Sequence, residues 1–189
     1  MNDPFIDVLD SVTVVLDRLQ IPYAITGSMA SAVHGEPLMS QDVDVCVRMT
    51  GEQAAALTAA LPQRFYRSEE AMTAAARGAT MSNLVDMATG LKVGLSVLKP
   101  DAYYDSVMQR RQRVSFGAGQ PPFWFVTPED VILMKLQWRR ESRSQKQWNN
   151  CLSVVRNQGP RLDWGYLRAW AVYLDVEADL EELARQAGV

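Results

Sequence analysis

A chain of 189 residues with 48% hydrophobic and 22% charged residues has the composition of an ordinary globular protein, long enough to bury a substantial core without disulfides or structural metals. A net charge of -3 gives no global attraction to nucleic acid, and no segment has the apolar length of a bilayer span. The acidic start, Met1 to Asp10, lacks the basic end, apolar run and cleavage site of a signal peptide, so a cytoplasmic location is expected; Cys46 and Cys151 lie in unrelated contexts and predict reduced thiols rather than a zinc site.

In chain order, apolar residues from Phe5 to Leu19 recur at three and four and predict an amphipathic helix that ends at Pro22. Tyr23 to Thr26 is a short strand, followed by Gly27-Ser28 and small residues up to Gly35 that suggest a tight loop and a short helix. Asp42 to Arg48 alternates, with Val43, Val45 and Val47 on one side and Asp42, Asp44 and Cys46 on the other, which is a strand pattern. Gly51 to Leu61 and Glu69 to Arg77 read as helices, and Met81 to Val85 with Leu91 to Leu98 as a hairpin turning around Ala88, Thr89 and Gly90. Pro100-Asp101 starts a helix to about Arg111, and Phe123 to Val126 adds a last piece of strand.

Thr127-Pro128-Glu129-Asp130 is a helix start, with a Thr cap, Pro at the first helical position and acids facing the positive end of the dipole. Beyond it the pattern is helical, near 128 to 141, 145 to 157, 163 to 173 and 177 to 187. The Pro-Gly-rich patch Gly117 to Pro122 is the best boundary, so the expected division is an α/β domain over 1–126 and a helical region over 127–189 packing on it.

Two acids on one side of a strand are usually a solvated edge. Here a strand ending in Gly-Ser and a short helix come first, which places a loop of backbone amides and the carboxylates of Asp42 and Asp44 at the same end of a sheet. Gly27 lets the main chain approach a triphosphate, Ser28 adds a hydroxyl donor, and the helix start presents free amides to the anion. Asp42 and Asp44 together suit Mg²⁺, a hard ion that prefers carboxylate oxygen and leaves positions for phosphates.

Ile25-Thr26-Gly27-Ser28 followed by Asp42-Val43-Asp44-Val45 resembles the signature of the polymerase-β-type nucleotidyltransferase superfamily. Asn83-Leu84-Val85, Thr89-Gly90-Leu91-Lys92-Val93, Arg110-Arg111, Thr127-Pro128-Glu129-Asp130, Lys135-Leu136-Gln137-Trp138 and Gln147-Trp148 extend the resemblance to bacterial stand-alone members related to the nucleotidyltransferase component of abortive-infection toxin-antitoxin systems. It implies a mixed sheet flanked by helices with a helical carboxy-terminal part. The implied activity is Mg²⁺-dependent transfer of a nucleotidyl group from a nucleoside triphosphate to an acceptor that ranges over RNA ends, protein side chains and small molecules. Metal and catalysis then fall to Asp42 and Asp44, and the nucleotide to Gly27, Ser28, Lys135 and Arg111; a homodimer or a toxin-antitoxin partner is the implied assembly.

Two departures qualify this. The Arg-x-Thr-x run that usually precedes the two aspartates reads Leu38-Met39-Ser40-Gln41, and the third carboxylate expected after Lys92-Val93 is Gly94. A hairpin turning about Ala88-Thr89 pairs Asn83 with Gly94 and turns Asp86 away, so no neighbouring acid substitutes. Weakened catalysis, or a degenerate nucleotide-binding or regulatory protein, is therefore the second reading.

Other residues have plainer readings beside functional ones. Lys135 reads as an exposed helix lysine or a phosphate contact, and Arg110 and Arg111 as helix-end cations or a ligand contact. Arg110, Arg111, Arg113, Lys135, Arg139, Arg140, Arg143 and Lys146 gather in the second half, either as solvated helix faces and a partner surface or as a site wall facing phosphates. His34 reads as a structural residue bonded to backbone or a general base, and Trp138, Trp148, Trp164 and Trp170 as core packing or stacking platforms.

Overall fold

The computed structural model describes residues 4–37, 42–117 and 120–189. Its strands are β1 (Tyr23–Thr26), β2 (Asp42–Val47), β3 (Phe65–Tyr66), β4 (Met81–Asp86), β5 (Lys92–Val97), β6 (Gln112–Val114) and β7 (Phe123–Phe125). The helices are α1 (Pro4–Arg18), α2 (Gly27–His34), α3 (Gly51–Ala60), α4 (Glu69–Gly78), α5 (Ala102–Arg110), α6 (Pro128–Ser142), α7 (Gln145–Gln158), α8 (Trp164–Tyr173) and α9 (Glu177–Ala187). Leu38 to Gln41, where the sequence departs from the Arg-x-Thr-x pattern, and Ala118-Gly119 of the expected boundary lie outside the described residues.

Among the described residues the strands form one mixed sheet in the order β3-β4-β5-β2-β1-β7-β6. β2 runs parallel to β5 and β1 to β7, while β3 with β4, β4 with β5, and β6 with β7 are antiparallel. The alternation read in β2 sets its sides: Val43, Val45 and Val47 are fully buried, whereas Asp42 is exposed and Asp44 half-buried. β4 alternates likewise, burying Ser82, Leu84 and Asp86 and exposing Met81 and Asn83.

The chain forms two compact units that are not contiguous in sequence. The first, of residues 1–25 and 40–125, holds nearly all of the sheet with α1, α3, α4 and α5; the second, of 26–39 and 126–189, gathers α2 with α6 to α9. In the first, Arg64 ties α1 to the buried side of β4. Its Nη2 donates to Ser11 Oγ at 2.9 Å and lies 2.7 Å from Asp7 Oδ2, while its Nε is 3.3 Å from Asp86 Oδ1. The buried Tyr23 hydroxyl also bonds to Thr13 of α1. α1 therefore covers the side of the sheet that carries Asp86 and Tyr23, and Asp44 lies on the other.

In the second unit α2 and α6 pack together, and α7 packs on both. Thr127 caps α6, accepting from Asp130 N at 3.2 Å while its hydroxyl donates to Asp130 Oδ2 at 2.9 Å. Tyr166 of α8 donates to Asp130 Oδ1 at 2.8 Å, and Glu129 accepts from Asp163 N at 3.0 Å. The acids at the start of α6 thus receive hydrogen bonds from α8 as well as facing the dipole of their own helix.

Candidate active site

Asp42, Asp44 and Cys46 share one side of β2 by the two-residue period of a strand. Cys46 is buried, with Sγ donating to Ala24 O at 3.2 Å, so only the two aspartates reach toward solvent on this side. In register, Asp42 lies across from Lys92 and Asp44 across from Gly94; on the next strand Gly94 lies across from Asn83. The pairing of Asn83 with Gly94 is the one that the hairpin pattern predicts.

Asp44, Gly94 and Asn83 therefore form a row across three strands. A Cβ placed on Gly94 would stand 3.3 Å from Asp44 Oδ1, 3.6 Å from Asn83 Oδ1 and 3.6 Å from Met81 Sδ. Two side-chain oxygens converge on the space that this glycine leaves open. Two carboxylates with an amide oxygen beside them fit Mg²⁺, which takes one or two protein carboxylates and fills its octahedron with water and substrate phosphate. Among the described residues no group of three or more His, Cys, Asp or Glu side chains is placed to hold one ion.

Asp86 does not join this set. It is fully buried on the opposite side of β4, where Thr89 N and Thr89 Oγ1 donate to its Oδ2 at 3.1 and 2.6 Å and Arg64 approaches its Oδ1. The Arg64 contact is an ion pair by distance whose angle does not make a hydrogen bond. Asp86 closes the hairpin turn and anchors α1.

Gly27, Ser28 and Lys135 belong to the second unit. Gly27 opens α2 with φ +65°, a conformation that L side chains rarely adopt, while Ser28 is half-buried. Thr26 Oγ1 donates to Met134 Sδ at 3.7 Å, which sets the start of α2 beside the helix that carries Lys135. Lys135 is buried and its Nζ donates to Gln147 Oε1 at 2.8 Å; it is not the exposed helix lysine of the plainer reading.

Arg111 lies in the first unit, just past α5. Its Nη1 donates to Met108 O, and its guanidinium sits 4.6 Å over the Trp124 ring, which Arg113 also approaches at 5.0 Å. Phe125 pairs with Ile25, which shares the α1 side with Tyr23, so Trp124 and its neighbour Arg113 lie on the side that carries Asp44. The sequence reading held Arg113 only as one of the cations gathered in the second half and missed Trp124; the signal for the pair was the Phe-Trp-Phe strand opposite an edge strand with arginine at its centre.

The remaining candidates take structural parts in the second unit. His34 Nε2 donates to Val126 O at 2.8 Å, and burial lowers its pKa, opposed by that bond and by Glu129. Arg139 pairs with Asp179 at 2.8 Å and stacks on Trp148, and Arg140 donates to Leu174 O at 2.9 Å. Trp148 is buried with Nε1 donating to Gln186, while Trp138, Trp164 and Trp170 are only half-buried, so the core-packing reading fits Trp148 better than the other three. Cys151 is a buried free thiol, its pKa pushed up to about 12 by burial. The groove between α3 and α4, lined by Thr50, Glu52, Glu69, Thr73 and Arg77 among others, shares no residue with the aspartate row.

At the level of sequence, no protein-family model and no curated protein matches this chain. Solved structures do. The crystal structure of ANT(2'')-Ia in complex with adenylyl-2''-tobramycin aligns with 13% identity over 89% of this chain and 97% of that one, with a TM-score of 0.58. The solution structure of the antibiotic-resistance factor ANT(2'')-Ia aligns with 15% identity over 98% and 100%, TM-score 0.56. An antigenic nucleotidyltransferase-like protein from Paracoccidioides brasiliensis aligns with 18% identity over 93% and 92%, TM-score 0.50. The fold is the one shared with these solved structures, ANT(2'')-Ia and the nucleotidyltransferase-like protein. Among the described residues no helix is long and apolar enough to cross a membrane.

Proposed function

We propose that this protein transfers a nucleotidyl group from a nucleoside triphosphate to an acceptor, with Mg²⁺ held by Asp42 and Asp44. The observation that carries the reading is the row of Asp44, Gly94 and Asn83 with Asp42 beside it, on the side of the sheet away from α1. The likeness in fold to ANT(2'')-Ia, whose crystal structure holds an adenylylated compound, makes ATP the first donor to test. Bound at the aspartates, Mg²⁺ supplies charge neutralisation of the phosphates and polarises the phosphorus under attack.

The chain's own residues then divide the work. Asp42 and Asp44 hold the ion and thereby fix the place of the reacting phosphate. The amides at the start of α2 and the Ser28 hydroxyl bind phosphate oxygens. Lys135 adds positive charge by exchanging its bond to Gln147 for a phosphate oxygen, and Arg111, kept in place by Trp124, adds another. Asn83 offers a neutral oxygen beside Asp44 and accepts no proton near neutral pH.

The second reading is a nucleotide-binding or regulatory protein that has lost catalysis, for example one component of a toxin-antitoxin pair, and Gly94 at the place of a third carboxylate is the observation that favours it. Calorimetry with the four nucleoside triphosphates and Mg²⁺, comparing wild type with the Asp42→Ala, Asp44→Ala double variant, tests the shared foundation of both. Binding that disappears in the double variant supports a metal-dependent nucleotide site. Binding that survives it removes the assigned role of the aspartates.

A further inference from the structure

The open side of β2, β5 and β4 restricts what the acceptor can be. Asp42 and Asp44 have no third acid or imidazole grouped with them among the described residues. Across from Asp44 stands Gly94 and then Asn83, an amide. An alcohol acceptor must lose its proton as its oxygen attacks phosphorus, a task for which a positioned base contributes about 10²–10⁴-fold. Carboxylates that hold a divalent cation are poor proton acceptors, so the two aspartates do not fill that role.

Lys92 is the second observation. It lies on β5 two residues before Gly94, on the same side of the strand, across from Asp42 on one flank and Val85 on the other. It is half-buried, and its ammonium makes no hydrogen bond or ion pair among the described residues, although the carboxylate of Asp42 stands at the neighbouring position of the next strand. Its ammonium is thus uncommitted, beside the space that Gly94 leaves next to Asp44.

Resting on the transferase reading above, we propose that the acceptor is an oxyanion, a phosphate or carboxylate oxygen already ionised at neutral pH, seated over Gly94 with Lys92 as its counter-ion. The acceptor oxygen forms a bond to the α-phosphorus of the nucleoside triphosphate. The bond from that phosphorus to the α,β-bridging oxygen breaks, and its electron pair leaves on pyrophosphate. No proton moves, so no base is needed. Asp44 and Asn83 turn oxygens toward this space, so the positive charge that seats the oxyanion comes from Lys92 and from the ion that Asp42 and Asp44 would hold, and the missing carboxylate at position 94 removes one further negative charge. Tyr66, which pairs with Val85, and Met81 border the spot and are both more than half exposed.

The experiment supplies Mg²⁺·ATP with one of three acceptors: labelled inorganic phosphate, which yields labelled ADP and pyrophosphate; acetate, whose adenylate is trapped by hydroxylamine; or glycerol. Wild type is expected to use phosphate or acetate, the better of the two naming the oxyanion, in preference to glycerol. Its rate should stay level between pH 7.5 and 9, where proton loss from an alcohol without a poised base raises the rate about tenfold per pH unit. Lys92→Gln lowers kcat/KM for the oxyanion about tenfold and leaves ATP affinity in place. It also abolishes the binding of inorganic phosphate to protein saturated with the α,β-methylene analogue of ATP, a calorimetric readout that needs no turnover. Gly94→Asp shifts preference toward glycerol.

Preference of the wild type for glycerol overturns the proposal. So does unchanged handling of phosphate by Lys92→Gln, or failure of an ATP-binding wild type to use either oxyanion. Absence of ATP binding itself, seen in the first titration, removes the transferase reading and this proposal with it.

Discussion

Asp86 and Asp44 are carboxylates of neighbouring regions of one sheet with opposite surroundings, and the difference comes from strand parity. Asp86 is enclosed with Arg64 and Thr89; Asp44 reaches the open side beside a glycine. Replacing Asp86 by Ala removes the acceptor of two hydrogen bonds and leaves the part-buried Arg64 with only its α1 partners. The expected cost is about 3 kcal/mol, as for breaking a buried charge pair, measured by urea unfolding. Triphosphate binding per folded molecule should not change, and a loss of binding without a loss of stability would place Asp86 in the site after all. The alternation of Asp42 to Val47 and the turn at Gly90 made both faces legible from the sequence, including the pairing of Asn83 with Gly94. The uncommitted state of Lys92 and the seat of Arg111 on Trp124 were not, because they depend on side-chain directions that no spacing rule contains.

Elements of ordinary length were read from periodicity to within a residue or two, and the exceptions share a cause. β3 has two residues and β6 three, Gln112-Arg113-Val114 with a single apolar member, so neither shows a period; each is an edge strand and needs only one partner. The start of α6 was legible as a cap, yet its buried network was not, since Tyr166 arrives from 36 residues away in sequence. Thr127→Ala removes the cap and one of the bonds to Asp130, and should cost the fold about 1–2 kcal/mol; a loss of helicity on heating that begins no earlier than in wild type would contradict this. α2 contributes a pH dependence. Burial favours neutral His34, so its folded pKa lies below the unfolded value near 6.5. The unfolded chain then binds more protons between those two values, and stability that is fully present above about pH 6.5 is lost as pH falls toward the folded pKa. His34→Gln should flatten the decline in unfolding free energy between pH 7.5 and 5; equal slopes in the two proteins would show that other groups cause it.

At the scale of the whole molecule, a division drawn along the sequence, 1–126 and 127–189, differs from the packed units because 26–39 leave the sheet unit and join the helices. Composition changes mark where a chain changes character, but not where an early helix finds its partners, and α2 finds them in α6 and α7. Charge acts at this scale too. The chain carries -3 at pH 7 and a nucleoside triphosphate is itself a polyanion, so the long-range field opposes their meeting, and attraction must come from short-range groups. The proposed function supplies such groups in protein cations, Arg111 and Lys135 among them, and in the metal that the aspartates are proposed to hold. Chelating Mg²⁺ separates them. If Asp42 and Asp44 act through a bound ion, EDTA abolishes triphosphate binding at 0.02 M salt as completely as at 0.15 M, because bare carboxylates then repel the ligand. If the cations alone carry it, binding survives EDTA at low salt and weakens at 0.15 M, where the screening length falls to about 8 Å. Titrations at both salt concentrations, with and without the chelator, distinguish the two, and survival of binding in EDTA would leave the aspartates without their assigned role.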